Sequence, residues 1–185
     1  MADTYLLDNN VISVAARPGD GRHPRVIEHL RAAAEDYVVL PAMAVAEIED
    51  GLARVDASGN PLPATAIAER ERLRQFFNDY PVRIGFDEHA IEPYSLVRSR
   101  LWIDLATKNG RRWVEKLPEE LCDRITGQTL GIDERDLIIV CTAIAYNLIF
   151  VTLDFNPGMQ RIVSTVLTLQ SEGKPVALTV ENWST

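Results

Sequence analysis

Two carboxylates stand directly after short apolar segments that have the composition of buried strands. Asp8 follows residues 5–7, and Asp154 follows residues 148–153. If both segments are strands of one parallel sheet, their carboxyl ends lie at the same edge. Open α/β sheets bind their ligands at that edge.

Two further acids stand near the expected beginnings of the intervening helices. Glu47 follows the apolar segment 42–46, and Asp136 precedes the apolar segment 137–140. Four carboxylates at one edge would repel each other unless they shared a cation, and Mg²⁺ or Mn²⁺ is the usual partner of such oxygen ligands. The sequence therefore predicts metal-assisted chemistry on a phosphate, with Asp8, Glu47, Asp136 and Asp154 as the metal ligands.

Each acid taken alone has a simpler explanation. Asp8 and Asp154 could be turn residues at strand ends, and Glu47 could be a surface glutamate. Asp136 stands in a first helical turn, where acids interact favourably with the helix dipole, although Asp133 is the expected cap. The shared placement of the four acids is what favours a site.

Asn10 is the best candidate among the neutral residues near these acids. Its amide could orient Asp8 or a metal-bound water, although an ordinary turn asparagine is an equally good interpretation. Thr152 is a weaker candidate for the same role. Asn10 is therefore included among the predicted catalytic residues.

Segments of strand and helix character alternate along the chain. Apolar strand-like segments occur at 5–7, 37–40, 81–85, 148–153 and 176–180, with helical patterns between them and a loop expected at 56–63. This alternation predicts an α/β fold with a central, mainly parallel sheet between two helical layers. We expect one domain spanning residues 1–185.

The composition is that of an ordinary soluble globular protein, with 46% hydrophobic and 25% charged residues. No apolar run approaches the roughly 20 residues that span a bilayer, and residues 1–4 lack the features of a signal peptide. Cys122 and Cys141 form no metal-ligand spacing. We expect a cytoplasmic protein without a membrane segment.

The formal net charge of −8 disfavours nucleic acid as a partner. Two basic groups oppose this trend. A solvated helix face is the better explanation of either group alone, but together with a metal site both groups become candidate contacts to an RNA backbone. They are Arg17, Arg22, Arg25 and Arg31, and then Arg98, Arg100, Lys108, Arg111, Arg112 and Lys116.

The same segments carry a resemblance to a known family. The sequence resembles PIN-domain ribonucleases, in particular the VapC-type toxins of bacterial toxin–antitoxin pairs. The four matching segments are 5–12 (YLLDNNVI), 44–52 (AVAEIEDGL), 136–143 (DLIIVCTA) and 150–154 (FVTLD). Their order agrees with the family, and together they span most of the chain. Position 9 is Asn where the family usually has a small hydroxyl residue.

The resemblance implies a PIN-like three-layer fold and a divalent-metal-dependent endoribonuclease that uses Mg²⁺ or Mn²⁺. It further implies the toxin of a type II toxin–antitoxin system, a homodimer, an RNA substrate and a small antitoxin protein that blocks the acidic site. Asp8 and Asp136 would be the closest metal ligands. Glu47 and Asp154 would act through water or at a second ion.

Other functions remain possible on the sequence alone. A haloacid-dehalogenase-type phosphatase needs an Asp where Asn10 stands, and a receiver domain needs a Lys after a late strand, which is missing here after Leu153. A non-catalytic PIN-like module that binds RNA or protein is the main alternative. The sequence leaves open the target RNA, the number of metal ions and the roles of segments 57–63 and 108–129.

Overall fold

The computed structural model describes residues 3–33, 37–59, 62–105, 108–109, 112–113, 117–122, 126–153 and 156–184. The chain divides into two compact units. The sheet unit comprises Met1–Gly85, Leu148–Leu153 and Thr179–Thr185. The helical unit comprises Phe86–Asn147 and Asp154–Leu178. The expectation of one domain over residues 1–185 stays a prediction.

Helices and strands alternate along most of the chain. In chain order the elements are β1 (Tyr5–Leu7), α1 (Asn9–Ala15), α2 (His23–Ala32), β2 (Val38–Pro41), α3 (Ala42–Ala57), α4 (Ala64–Asp79), β3 (Arg83–Ile84), α5 (Glu88–Leu105), β4 (Lys108–Asn109), β5 (Arg112–Trp113), α6 (Glu134–Ala145), β6 (Ile149–Val151), α7 (Pro157–Ser171) and β7 (Thr179–Glu181). A 3-10 turn occupies Pro118–Glu120.

The sheet unit is built on five parallel strands in the order β3-β2-β1-β6-β7. In the central pair, Leu6 lies opposite Phe150, and Leu7 lies opposite Val151. All four side chains are fully buried, as expected for short apolar strands in a parallel sheet. The predicted α/β class with a central parallel sheet is confirmed.

Helix α1 begins directly at the end of β1. The Asp8 carboxylate caps it by accepting a hydrogen bond from the Asn9 backbone N–H at 2.7 Å. Val11 and Ile12 on its inner face are fully buried, and α1 packs against α2, α3 and α4. The strand end and the helix start are therefore one rigid junction at Asp8.

Helix α3 extends two residues into the segment 56–63, which the sequence predicts to be a loop. It ends at Ala57, and the Asp56 carboxylate binds the Arg70 guanidinium of α4 through two hydrogen bonds. This ion pair stabilises the last turn of α3 from a neighbouring helix. Local turn composition could not reveal it.

In the helical unit, α5 packs against α6 and α7. Val97, Leu101 and Leu105 form its buried face. The segment 108–129, which the sequence leaves unassigned, contains the antiparallel strand pair β4–β5 and the 3-10 turn. Among the described helices, none combines the length and hydropathy needed to cross a membrane.

Candidate active site

Asp8 is a buried carboxylate at the carboxyl end of a central strand, and 5% of its surface is exposed. Three described donors contact it. Asn9 N donates to Oδ1 at 2.7 Å, while Asn10 Nδ2 and Thr152 Oγ1 each donate to Oδ2 at 2.8 Å. A buried carboxylate is tolerated in a protein when such hydrogen bonds replace its hydration.

Asn10 and Thr152 join the ends of the two neighbouring strands β1 and β6. Besides its bond to Asp8, Asn10 Nδ2 donates to Thr152 Oγ1 at 3.0 Å, and Asn10 Oδ1 accepts from Leu153 N at 3.0 Å. Thr152 is fully buried. Both sides of the Asn10 amide are therefore used, and the Asp8 side chain is held in one orientation.

Glu47 lies on α3 and is half-buried. Asn9 Nδ2 donates to Glu47 Oε2 at 3.4 Å, and Ser13 Oγ donates to Asn9 Oδ1 at 3.5 Å. Since the backbone of Asn9 also binds Asp8, the two predicted ligands Asp8 and Glu47 are connected through a single asparagine. Helical side chains lean towards the helix N-terminus, which agrees with Glu47 reaching back to the start of α1.

Asp136 lies in the helical unit, as the third residue of α6, and is half-buried. Asp133 caps the helix as predicted, by accepting a hydrogen bond from Arg135 N at 2.8 Å. Glu134 contacts the Tyr94 hydroxyl and Arg98. The predicted ligand Asp154 lies outside the described residues.

Several ionisable groups of the helical unit have shifted pKa values. Hydrogen bonds from Arg135 lower the pKa of Asp133. Burial, together with the hydrogen bond to Glu134, raises the pKa of Tyr94 to about 12. Burial also raises the pKa of the Cys141 thiol to about 12, so Cys141 is a core residue and not a thiolate nucleophile.

The donor chemistry of the sheet unit fits a hard divalent cation. Asp8 and Glu47 offer carboxylate oxygens, and their described hydrogen-bond partners are amides and a hydroxyl, with no histidine or thiolate. Mg²⁺ keeps several waters and is often bound through one or two carboxylates. Within the described residues, which exclude Asp154, no group of three or more His, Cys, Asp or Glu side chains is arranged to hold a metal ion.

Many of the predicted RNA-contacting cations already have acidic partners within the chain. The described ion pairs are Arg17–Glu69, Arg22–Asp20, Arg25–Glu28, Arg98–Glu134, Arg100–Asp104 and Arg100–Glu172. The side chains of residues 108, 111, 112 and 116 lie outside the described part of the chain. The described basic groups therefore contribute less positive potential than their number suggests.

The contacts of Asn9 were not predicted from the sequence. The only signal was its departure from the small hydroxyl residue that is usual in the family that the sequence resembles. The sequence favours Asn10 over Thr152, yet both side chains contact the same Asp8 oxygen.

No protein-family model matches the sequence, and no curated protein matches it significantly. Solved structures do match over nearly the whole chain. A FitAB complex bound to an IR36 DNA fragment is 18% identical with a TM-score of 0.61, over 98% of this chain and 96% of the other. FitAcB from Neisseria gonorrhoeae is 23% identical with a TM-score of 0.57, and the match covers 95% of this chain and 96% of the other. VapBC2 from Rickettsia felis, bound to a DNA fragment from its promoter, is 17% identical with a TM-score of 0.54. The match covers 97% of this chain and 98% of the other.

At these identities the similarity establishes the fold. The neighbours are PIN-domain toxin–antitoxin complexes, and the sheet order and strand directions are those of an α/β fold with an all-parallel sheet. The PIN-like fold that the sequence resemblance implied is therefore confirmed, and this chain adopts it.

Proposed function

We propose that this chain is a divalent-metal-dependent endoribonuclease that hydrolyses RNA phosphodiester bonds, and that it is the toxin of a type II toxin–antitoxin system. The observation that carries the proposal is the buried Asp8 carboxylate, held by Asn10 and Thr152 at the carboxyl edge of a PIN-like parallel sheet. Burying a charge at this position is costly, and the cost is understandable if the carboxylate has a ligand.

Asp8 and Asp136 would be the closest ligands of Mg²⁺ or Mn²⁺, and Glu47 and Asp154 would act through water or at a second ion. A bound divalent ion supplies a water of lowered pKa and stabilises negative charge on a phosphate. The residues of the chain supply orientation. Asn10 and Thr152 hold the Asp8 carboxylate in place before any ligand arrives, which reduces the reorganisation needed on binding.

The structural neighbours support a protein partner. FitAB and VapBC are two-component complexes, and the FitAB, VapBC2 and Salmonella typhimurium VapBC structures also contain DNA. We propose that this chain binds a small antitoxin and forms a homodimer in the cytoplasm. A basic residue from the antitoxin would complement the acids at the sheet edge, because the chain carries a net charge of −8.

The first experiment is cleavage of total RNA in Mg²⁺ or Mn²⁺ by the wild type, Asp8→Asn and Asp136→Asn. Asp79→Asn is a matched control, because Asp79 is exposed at the end of α4. We expect discrete fragments from the wild type and the control, and none from the two site variants or in EDTA.

Two outcomes would contradict the proposal in different ways. A folded wild type that binds Mn²⁺ without cleaving any RNA offered would favour the non-catalytic RNA- or protein-binding module. A folded wild type that binds no divalent metal would exclude the metal-dependent mechanism altogether.

The antitoxin proposal has its own test. The wild type is coexpressed with the product of the adjacent reading frame, and the pair is purified through a tag on one protein only. We expect a stable complex in which RNA cleavage is suppressed. The absence of any affinity between the two products would contradict the partner assignment.

A further inference from the structure

Asn9 is placed to control the orientation of Glu47. Its Nδ2 donates to Glu47 Oε2 at 3.4 Å, and its Oδ1 accepts from Ser13 Oγ at 3.5 Å. An ionised carboxylate only accepts hydrogen bonds, so the Asn9 amide must turn its NH₂ group towards Glu47. Its oxygen is then directed to a donor, and the Ser13 hydroxyl is that donor.

The local helix geometry creates this arrangement. Asn9 is the first residue of α1, and Ser13 is four residues further on, so both side chains lie on the same face of the helix. Helix α1 contacts α3, which carries Glu47. All three side chains are half-buried, so water competes less for these hydrogen bonds than at an open surface.

We propose that Asn9 is a positioning residue that orients Glu47 for metal binding, with Ser13 fixing the orientation of the Asn9 amide. The inference rests on the proposed function and extends it to a residue outside the predicted ligand set. A glutamate on a helix has several rotamers, and ordering it costs free energy when a ligand binds. A donor that already selects one orientation reduces this cost and therefore strengthens metal binding.

The asparagine side chain is needed for this role. A serine at position 9 would place its hydroxyl one bond closer to the backbone than the Asn9 amide nitrogen. The neutral amide also donates to Glu47 without competing with a metal ion for the carboxylate, as a positively charged side chain would. The Ser13–Asn9–Glu47 arrangement therefore depends on Asn9 and Ser13 occurring together in this sequence.

The test is Mn²⁺ affinity measured by isothermal titration calorimetry on the wild type and Asn9→Ala. Asn78→Ala is the matched control, because Asn78 is exposed near the end of α4. We expect affinity about tenfold weaker for Asn9→Ala, in the range for loss of a residue that supports a metal ligand, and no change for Asn78→Ala. Ser13→Ala should give a smaller loss in the same direction. Thermal unfolding of each apoprotein separates this effect from misfolding.

A coupled variant distinguishes orientation of Glu47 from a general effect on the site. In a Glu47→Gln background the charge-assisted bond from Asn9 is absent, so adding Asn9→Ala should change Mn²⁺ affinity less than twofold. An undiminished loss in that background, or an unchanged affinity in Asn9→Ala alone, overturns the inference while the proposed function stands. A wild type that binds no Mn²⁺ overturns both.

Discussion

The Asp8 carboxylate combines burial with several hydrogen bonds from neutral groups. Its described donors are a backbone N–H, an amide and a hydroxyl, and none of these is a cation. These donors replace the hydration that the carboxylate loses on burial. At the scale of single residues, burial separates Asp8 from exposed acids such as Asp50 and Asp56, which form ion pairs with arginine at the surface.

Thr152→Val should destabilise the protein by about 1–3 kcal/mol, because a buried Asp8 oxygen loses a donor while the side-chain volume is nearly kept. Urea unfolding of the metal-free protein measures the change. Thr142→Val is the matched control, since the described hydrogen bond of the buried Thr142 hydroxyl goes to the Ile138 carbonyl within its own helix. If the two variants lost the same free energy of unfolding, the Thr152–Asp8 hydrogen bond would contribute no more than an ordinary buried hydroxyl bond.

The two cysteines should differ sharply in reactivity. Burial raises the pKa of Cys141 to about 12, whereas Cys122 is partly exposed. We expect one thiol per chain to react with a disulfide reagent at pH 8 in the native state, and two in urea. In Cys122→Ser the native reaction should disappear. A fast native reaction in that variant would mean that Cys141 is accessible.

Helix α6 has a well-capped N-terminus. Asp133 caps it, and Glu119 from the 3-10 turn accepts a hydrogen bond from Glu134 N at 3.0 Å. Two of the backbone donors that a helix start leaves unsatisfied are therefore paired. Asp136 follows within the same turn, so the caps fix the backbone that carries this predicted ligand.

Asp133→Ala should lower the free energy of unfolding by about 1 kcal/mol at pH 7, through loss of the cap. Because Arg135 lowers the pKa of Asp133 in the folded state, this contribution is complete above the unfolded pKa of about 4. It is lost as the pH falls through the lower folded pKa. Urea unfolding at pH 7 and pH 3 should therefore show a cost that shrinks on acidification.

Asp133→Asn is the control for that experiment, because Asn caps helices well but does not titrate. It should keep most of the stability at pH 7 and remove the pH-dependent part. A cost of Asp133→Ala that stays constant down to pH 3 would contradict the assignment of the shifted pKa to this cap.

The start of α7 depends on a close backbone approach. A Cβ at Gly158 would overlap the Gly131 carbonyl, whereas a Cβ at Gly51 in α3 would meet nothing within 4 Å. Gly158→Ala should therefore destabilise the protein by about 1–3 kcal/mol. Gly51→Ala should stabilise it by roughly 0.5–1 kcal/mol, through helix propensity. Chemical denaturation measures the change in the free energy of unfolding for each variant. Changes of the same sign in both variants would refute the packing argument.

At the scale of the whole molecule, the chain carries a net charge of −8, so the divalent ion of the proposed function would add positive charge to an acidic protein. We expect saturating Mn²⁺ to stabilise the native state by about 2.7 kcal/mol at one hundred times Kd. That corresponds to a rise of about 5–10 °C in the Tm of a chain of this size. EDTA should reverse this rise in Tm.

The neighbouring glutamates of α3 provide a matched pair for this measurement. Glu47→Gln should reduce the Mn²⁺-induced rise in Tm, whereas Glu49→Gln should not, because Glu49 is exposed on the same helix. An identical response of the two variants would remove Glu47 from the set of metal ligands.

Short apolar segments with polar ends made much of the fold predictable. The residues before Asp8 and before Asp154 read as strands, and they form the paired strands β1 and β6. Prediction was weaker where structure depends on distant contacts. The last turn of α3 is held by Arg70 of another helix. The β4 and β5 strands have only two residues each, too few to show a period.

By itself, the sequence determined the α/β class, the burial of the strands, the cap at Asp133 and the placement of Asp8 at a strand end, because hydrophobic periodicity and capping are local properties. Only the tertiary structure decided the strand order and the register. That register places Thr152 on the Asp8 oxygen that Asn10 also contacts, and the packing of α1 with α3 brings Asn9 to Glu47. The Asn9–Glu47 and Asp8–Thr152 contacts join residues 38 and 144 positions apart, and no local pattern encodes such a distance.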